Sequence, residues 1–209
     1  MSSMKPQDIE GRSMEIIDGL LPEGNWTPDE RIVVKRLVHT SGDPALAEFV
    51  RFHPQAIAAG VAALRQGAHV YTDVHMVRMG INTARLHALG SDSHCAIDDP
   101  AVIHEAHETE RTRAQTEMRR YGKALDGAII AIGNAPTALR EVLALAAEGV
   151  ARPALVIGMP VGFVDAAESK DALMASDLVY ISIEGTRGGS PLAAATVNAL
   201  LRILEAQAK

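Results

Sequence analysis

Apolar residues recur at helical spacing through the first third of the chain. Beyond it they fall in short, unbroken, β-branched runs. "DIEGRSMEIIDGLL" predicts a helix over residues 7–21. In "TPDERIVVKRLVHTSG", Thr27 is placed to cap a second helix, with Pro28 at its first position and Glu30 completing a capping box. At about 100° per residue, Val33, Val34, Leu37 and Val38 form one stripe of that helix. His39 falls on the opposite side, between Lys35 and Arg36, and Ser41-Gly42 stops the helix. Asp43 and Pro44 predict the start of another helix, "DPALAEFVRF", and "PQAIAAGVAALRQG" predicts one more, ended by Gly67.

From residue 69 the runs "HVYTDV", "GAIIAIG", "PALVIGM" and "LVYISI" predict buried strands. Helical patterns separate the last three, and "SPLAAATVNALLRILEAQ" closes the chain. Strand–helix alternation of this kind predicts a parallel sheet with right-handed crossovers. Residues 84–123 read as a polar, His-rich loop leading into the helix "HETERTRAQTEMRRYG". The expected organisation is one domain over 1–209, helical over 1–66 and α/β over 67–209.

Composition narrows the partners. A net charge of −6 argues against nucleic acid and anionic membranes, while leaving room for a small anion held by local arginines. The core must be aliphatic, because 47% of residues are hydrophobic and only 3% aromatic. One cysteine, Cys95, excludes an internal disulfide and fits a reducing compartment. The start "MSSMKPQDIEGRSMEI" is too polar for a signal peptide, and no apolar run nears the ~20 residues a bilayer span needs. The expectation is a cytoplasmic protein.

Three predicted strands end in similar turns: Gly133-Asn134 before Pro136; Gly158, Pro160 and Gly162 before Asp165; and Gly185, Gly188 and Gly189 before Ser190 and Pro191. Asp165, with Glu168 three residues on, reads as a helix cap, and so does Ser190. In a parallel sheet these turns share the carboxyl edge, where open α/β folds bind ligands. Free N–H groups of the following helices would suit anions. No G-x-G-x-x-G follows a strand and no G-x-x-x-x-G-K-[ST] occurs, which argues against a nucleotide cofactor.

By its residues alone, His39 reads as a solvated histidine or as a proton donor. The end of a helix favours imidazolium by roughly 0.3–1 kcal/mol, and Lys35 and Arg36 oppose it. A bound anion would favour the proton-bearing form that a general acid requires. A rival constellation is "HALGSDSHCAIDDPAVIHEAHE", with His87, His94, Cys95, Asp98, Asp99, His104, His107 and Glu108 as ligand-type side chains. Its spacings match no zinc pattern, so no metal is assigned. Arginines are spread along the chain, with Arg187 inside the third glycine turn.

"AIGNAPTAL", "GMPVGFVDAAESKDAL", "RGGSPLAAATVNAL", "GRSMEIID" and "KRLVHTSGD" together resemble the precorrin-8X methylmutase family of cobalamin biosynthesis, in consistent order over residues ~10–205. The resemblance implies a three-layer α/β/α fold with a largely parallel five-stranded sheet and a helical N-terminal region, in a homodimer. It implies an isomerase that moves a methyl group from C-11 to C-12 of precorrin-8X or cobalt-precorrin-8, a tetrapyrrole polycarboxylate, without cofactor. His39 maps onto the family's acid–base histidine. Ser13, Thr112 and Arg113 map onto substrate contacts, with Arg12 added as the neighbour of Ser13, and Arg187 and Gly188 from the third glycine turn. Thr83 in "GINTARL" and the His-rich segment 87–107 depart from the family pattern. The alternatives are a non-catalytic corrin carrier, or a metal-dependent enzyme built on His94–His107.

Overall fold

A computed structural model describes residues 6–207. The polar start that argued against a signal peptide begins outside that range, at residues 1–5. Helix α1 (Pro6–Leu20) lies against α2 (Pro28–Ser41). The capping box forms as predicted: the Glu30 amide donates to Thr27 Oγ1 at 3.3 Å and the Thr27 amide donates to Glu30 Oε2 at 2.8 Å. Val33, Val34, Leu37 and Val38 are all buried. Gly42 ends the helix at φ 68°, a left-handed position natural to glycine, and its N–H caps the Val38 carbonyl.

The helix expected over 43–52 does not form. The Asp43 carboxylate accepts the Ala45 N–H and starts a 3-10 turn, Pro44–Phe49. Val50–Phe52 then becomes strand β1, antiparallel to the chain's last strand, with Val50 opposite Ile183. A cross-strand fork from Arg51 to Glu184, at 2.8 and 2.6 Å, fixes that register. Helix α3 (Ala56–Arg65) follows as predicted.

The four predicted strands are present as β2 (Val70–Thr72), β4 (Ile129–Ile132), β5 (Leu155–Gly158) and β6 (Tyr180–Ile183). The His-rich segment is more ordered than a loop. After α4 (His75–Gly80), it holds nearly all of α5 (Thr83–Ala88), the short strand β3 (Ser93–His94) and α6 (Pro100–Glu108). The sheet therefore has six strands rather than five, in the order β1-β6-β5-β4-β2-β3, and all neighbours except β1 and β6 pair in parallel. β1 and β3 were missed because strands of three and two residues carry no usable period.

The helix expected over 107–122 is broken at 109–112. Thr112 Oγ1 accepts the Gln115 N–H and starts α7 (Arg113–Tyr121) anew. Helices α8 (Pro136–Ala147), α9 (Ala166–Met174) and α10 (Ser190–Gln207) complete the chain. Alternate strand residues enter opposite layers. Ile129, Ala131, Leu155 and Ile157 pack with α2, α3 and α10, whereas Ile130, Ile132 and Val156 pack with α7 and α8. The N-terminal helices are thus one layer of the sandwich. Among the described residues, no helix is long and apolar enough to cross a membrane.

Candidate active site

His39 sits in the last turn of α2, exposed, on the face away from the core. Ser13, one helix earlier, places its Oγ 3.0 Å from His39 Nδ1. That contact engages Nδ1 and leaves Nε2 without a protein hydrogen-bond partner among the described residues. The cations beside His39 are both tied to α1: Lys35 to Asp18 at 3.3 Å, and Arg36 to Glu10. The repulsion expected from the sequence is thus largely compensated. Ser13, Ile17, Leu20, Val38, His39, Gly42 and Pro44 line a cavity of about 180 Å³. A larger cavity, about 580 Å³, lies elsewhere, between α5 and the end of α10, and includes none of the predicted site residues.

The turn after β6 reaches this region through one ion pair. Arg187 holds Asp43, four residues after His39, at 2.7 Å and lies 4.8 Å above the Phe49 ring. Gly188 leaves no room for a side chain, since a Cβ would stand 2.3 Å from the Met159 carbonyl oxygen. On the same edge, Val161, Phe163 and Val164 project from the turn after β5, with Phe163 92% exposed. Asp165 there adopts φ 59° and makes no cap with its side chain; instead Arg140 holds its carboxylate in a fork. The capping box predicted at Asp165 and Glu168 is replaced by this fork.

Thr112 and Arg113 stand over the turn after β4, because Thr112 Oγ1 meets Thr137 Oγ1 of α8 at 2.7 Å. Arg113 is exposed and forms no ion pair among the described residues, so its guanidinium is available. Arg12 is engaged at the surface with Glu15 at 3.0 Å. The structure therefore brings Ser13 and His39 into contact and ties Arg187 to Asp43, four residues after His39, while Arg187 and Gly188 are not among the residues that line the His39 cavity. It sets Thr112 and Arg113 at another station of the same sheet edge.

One expectation of open amides at these turns is corrected. The N–H groups of Gly133, Asn134 and Ala135 are taken by Asp73, fully buried at the end of β2, at 2.9, 2.8 and 2.7 Å. Burial pushes the Asp73 carboxyl up, and these three donors oppose that shift. Sequence reading missed Asp73 because it ends an apolar run. Its signal was an acid immediately after a strand otherwise buried on both faces.

A second buried acid supports the next strand end. Glu117 of α7 accepts the Ala96 N–H, and the Tyr121 hydroxyl at 3.1 Å. Burial pushes its carboxyl up from 4.5 to about 7. The neighbouring Cys95 thiol is pushed up to about 12, chiefly by burial, so it is a poor thiolate ligand. A folded-state pKa above the unfolded one means that the native state holds the extra proton between about 4.5 and 7, so stability falls with rising pH across that window. Glu117→Gln should remove that loss. Urea titrations should show the variant gaining on the parent protein by on the order of 3 kcal/mol between pH 4.5 and 8; parallel stability profiles would contradict it.

The rest of the His-rich segment is dispersed. His87 pairs with Asp92, His75 with Asp98 and His107 with Glu108. His104 and His107 are exposed on α6. Among the described residues, no three His, Cys, Asp or Glu side chains gather as a metal donor set.

The sequence profile of precorrin-8X methylmutases matches residues 8–203. The chain belongs to the precorrin-8X methylmutase family. The cobalt-precorrin-8 methylmutase of Priestia megaterium is 44% identical over 198 residues, covering 95% of this chain and 88% of that one. The precorrin-8X methylmutase of Sinorhizobium sp. is 38% identical over 194 residues, covering 91% of both. A crystal structure of the precorrin-8x methyl mutase from Thermus thermophilus superposes with a TM-score of 0.89 at 36% identity, covering 96% of this chain and 97% of that chain. The protein is a methylmutase, an isomerase of cobalamin biosynthesis. Membership in a family of enzymes sets aside the reading as a passive carrier.

Proposed function

We propose that the enzyme moves the methyl group from C-11 to C-12 of precorrin-8X or cobalt-precorrin-8, giving hydrogenobyrinate or cobyrinate, with His39 as the proton donor and acceptor. The observation that carries this reading is the Ser13–His39 contact at 3.0 Å. It orients an exposed imidazole in the last turn of α2. In this mechanism Nε2 lends a proton to the ring nitrogen beside C-11. Electron density leaves the bond to the methyl group, the group shifts to C-12, and the proton returns. The step is an isomerisation, so no oxidant or methyl donor enters the balance.

Arg113, exposed and without an ion-pair partner among the described residues, is suited to a peripheral carboxylate. Arg12 and Arg187 can serve likewise by exchanging Glu15 and Asp43 for substrate, with Thr112 and Gly188 shaping the edge. The exposed Phe163 and Val164 offer an apolar surface to the macrocycle. We assign the enzyme to the cytoplasm, whose reducing conditions its single cysteine fits.

We further propose a homodimer. The cavity at His39, about 180 Å³, is smaller than the ~300–1,000 Å³ usual for enclosed ligands. Ile9, Ile16 and Leu20 also share an exposed face of α1, the helix that carries Ser13. Light scattering of the purified chain should return twice its 22.2 kDa mass; a monomer at assay concentration would refute this.

Ser13→Ala tests the mechanistic reading. Turnover of precorrin-8X or cobalt-precorrin-8, followed by the absorbance change to product, should fall about 10- to 100-fold with KM little changed, because only the ring's orientation is lost. An unaltered kcat would remove Ser13 from the mechanism.

A further inference from the structure

Helix α9 buries a lysine. Lys170 has no exposed surface, and its Nζ donates to the main-chain carbonyl of Arg187 at 2.5 Å. It forms no ion pair among the described residues, although Asp171 beside it in sequence supplies a favourable charge. Burial pushes the ammonium down to about 8. Taking an ammonium out of water for a single neutral acceptor is unfavourable, and an apolar side chain could occupy the same space. What the hydrogen bond holds in place therefore accounts for the lysine better than core packing does.

It holds the turn of Arg187. The same turn is fixed from above by the Gly189 N–H donating to the Met159 carbonyl at 2.8 Å, and by the Gly162 N–H donating to the Thr186 carbonyl at 3.1 Å. Those bonds do not involve the Arg187 carbonyl. That carbonyl goes to Lys170, and the Arg187 guanidinium goes to Asp43 and the Phe49 ring. Lys170 thus stands at one end of a chain of contacts that runs through Arg187 and Asp43 to the segment just after His39.

We propose that Lys170 is a positioning residue for the substrate cleft, anchoring the Arg187 carbonyl so that the guanidinium is held beside the His39 helix. The inference rests on the reading that the Arg187 turn lines the cleft. Rotating that peptide would carry the guanidinium away from Asp43 and blunt substrate capture without touching the imidazole.

The test is a double-mutant cycle with Lys170→Met and Arg187→Ala, measured with precorrin-8X as substrate. Each single change should raise KM about tenfold with kcat within about threefold, the loss of one charge-assisted contact. The double variant should be no worse than Arg187→Ala alone, because both act through one guanidinium. If the two effects multiply, or if Lys170→Met leaves KM unchanged while Arg187→Ala raises it, the positioning role is overturned and the cleft stands. If Arg187→Ala leaves KM unchanged, the cleft reading of this turn fails and the inference fails with it. Should Lys170→Met not fold, Lys170→Gln, which shortens the donor, carries the test. Faster amide exchange over residues 185–189 with raised KM supports the role, and unchanged exchange overturns it.

Discussion

Replacing His39 with alanine should abolish conversion while sparing binding. A positioned acid–base group contributes about 10²–10⁴-fold to rate, and the variant should lose turnover in that range. The imidazole lies at the surface, in the last turn of α2, and its one protein partner among the described residues is the Ser13 hydroxyl. Its removal therefore leaves no buried group unsatisfied, and thermal stability should stay within about 0.5 kcal/mol, as for other surface substitutions. Substrate and product differ in absorbance, so one titration reads both quantities. Binding would appear as an immediate spectral perturbation, and conversion as a slower change that the variant lacks. Parent-like turnover by His39→Ala would end the acid–base assignment while leaving the family membership intact. Loss of binding together with turnover would instead make the imidazole a substrate anchor.

The parts legible from sequence are those with a period or a cap. The α2 stripe of Val33, Val34, Leu37 and Val38 and the Thr27–Glu30 box follow from spacing alone. β2, β4, β5 and β6 follow from apolar runs long enough to be buried on both faces. β1 and β3 were not legible, because a three-residue or two-residue strand takes its conformation from its neighbour in the sheet. The break before Thr112 was hidden by the charged, helix-compatible residues Glu108, Glu110 and Arg111 around it, and the threonine's capping bond marks where α7 restarts.

The site shows the same division. That His39 faces solvent follows from helix geometry, but its meeting with Ser13 depends on how α1 crosses α2. The resemblance over residues ~10–205 singles out each residue separately, Ser13 as a substrate contact and His39 as the acid–base group, and says nothing of their meeting. The supporting residues were not seen. Lys170 shares the buried face of α9 with Ala166 and Leu173, and Glu117 shares that of α7 with Ala114 and Met118. A charge placed at the apolar period of a helix was the available signal in both, and an anomaly of that kind marks a group held for a purpose other than packing.

The largest effect on stability is expected at Asp73. Its two carboxylate oxygens accept three main-chain N–H groups from the turn between β4 and α8, and it has no exposure to solvent. Asp73→Ala would strand the three donors, where each unsatisfied buried polar group costs about 1–3 kcal/mol. The expected loss is about 3–5 kcal/mol by chemical denaturation, near the upper end for single substitutions. Asp73→Asn keeps one acceptor oxygen but turns an amide N–H₂ towards at least one donor, so it should lie between the alanine variant and the parent. The consequence reaches the site, because the turn that Asp73 holds leads into Thr137, the Thr112 contact and hence Arg113. In Asp73→Asn, KM should therefore rise while His39-dependent kcat is held. A loss below about 1 kcal/mol for Asp73→Ala would show that the three amides find other partners, and that the β4 turn keeps its shape without the acid.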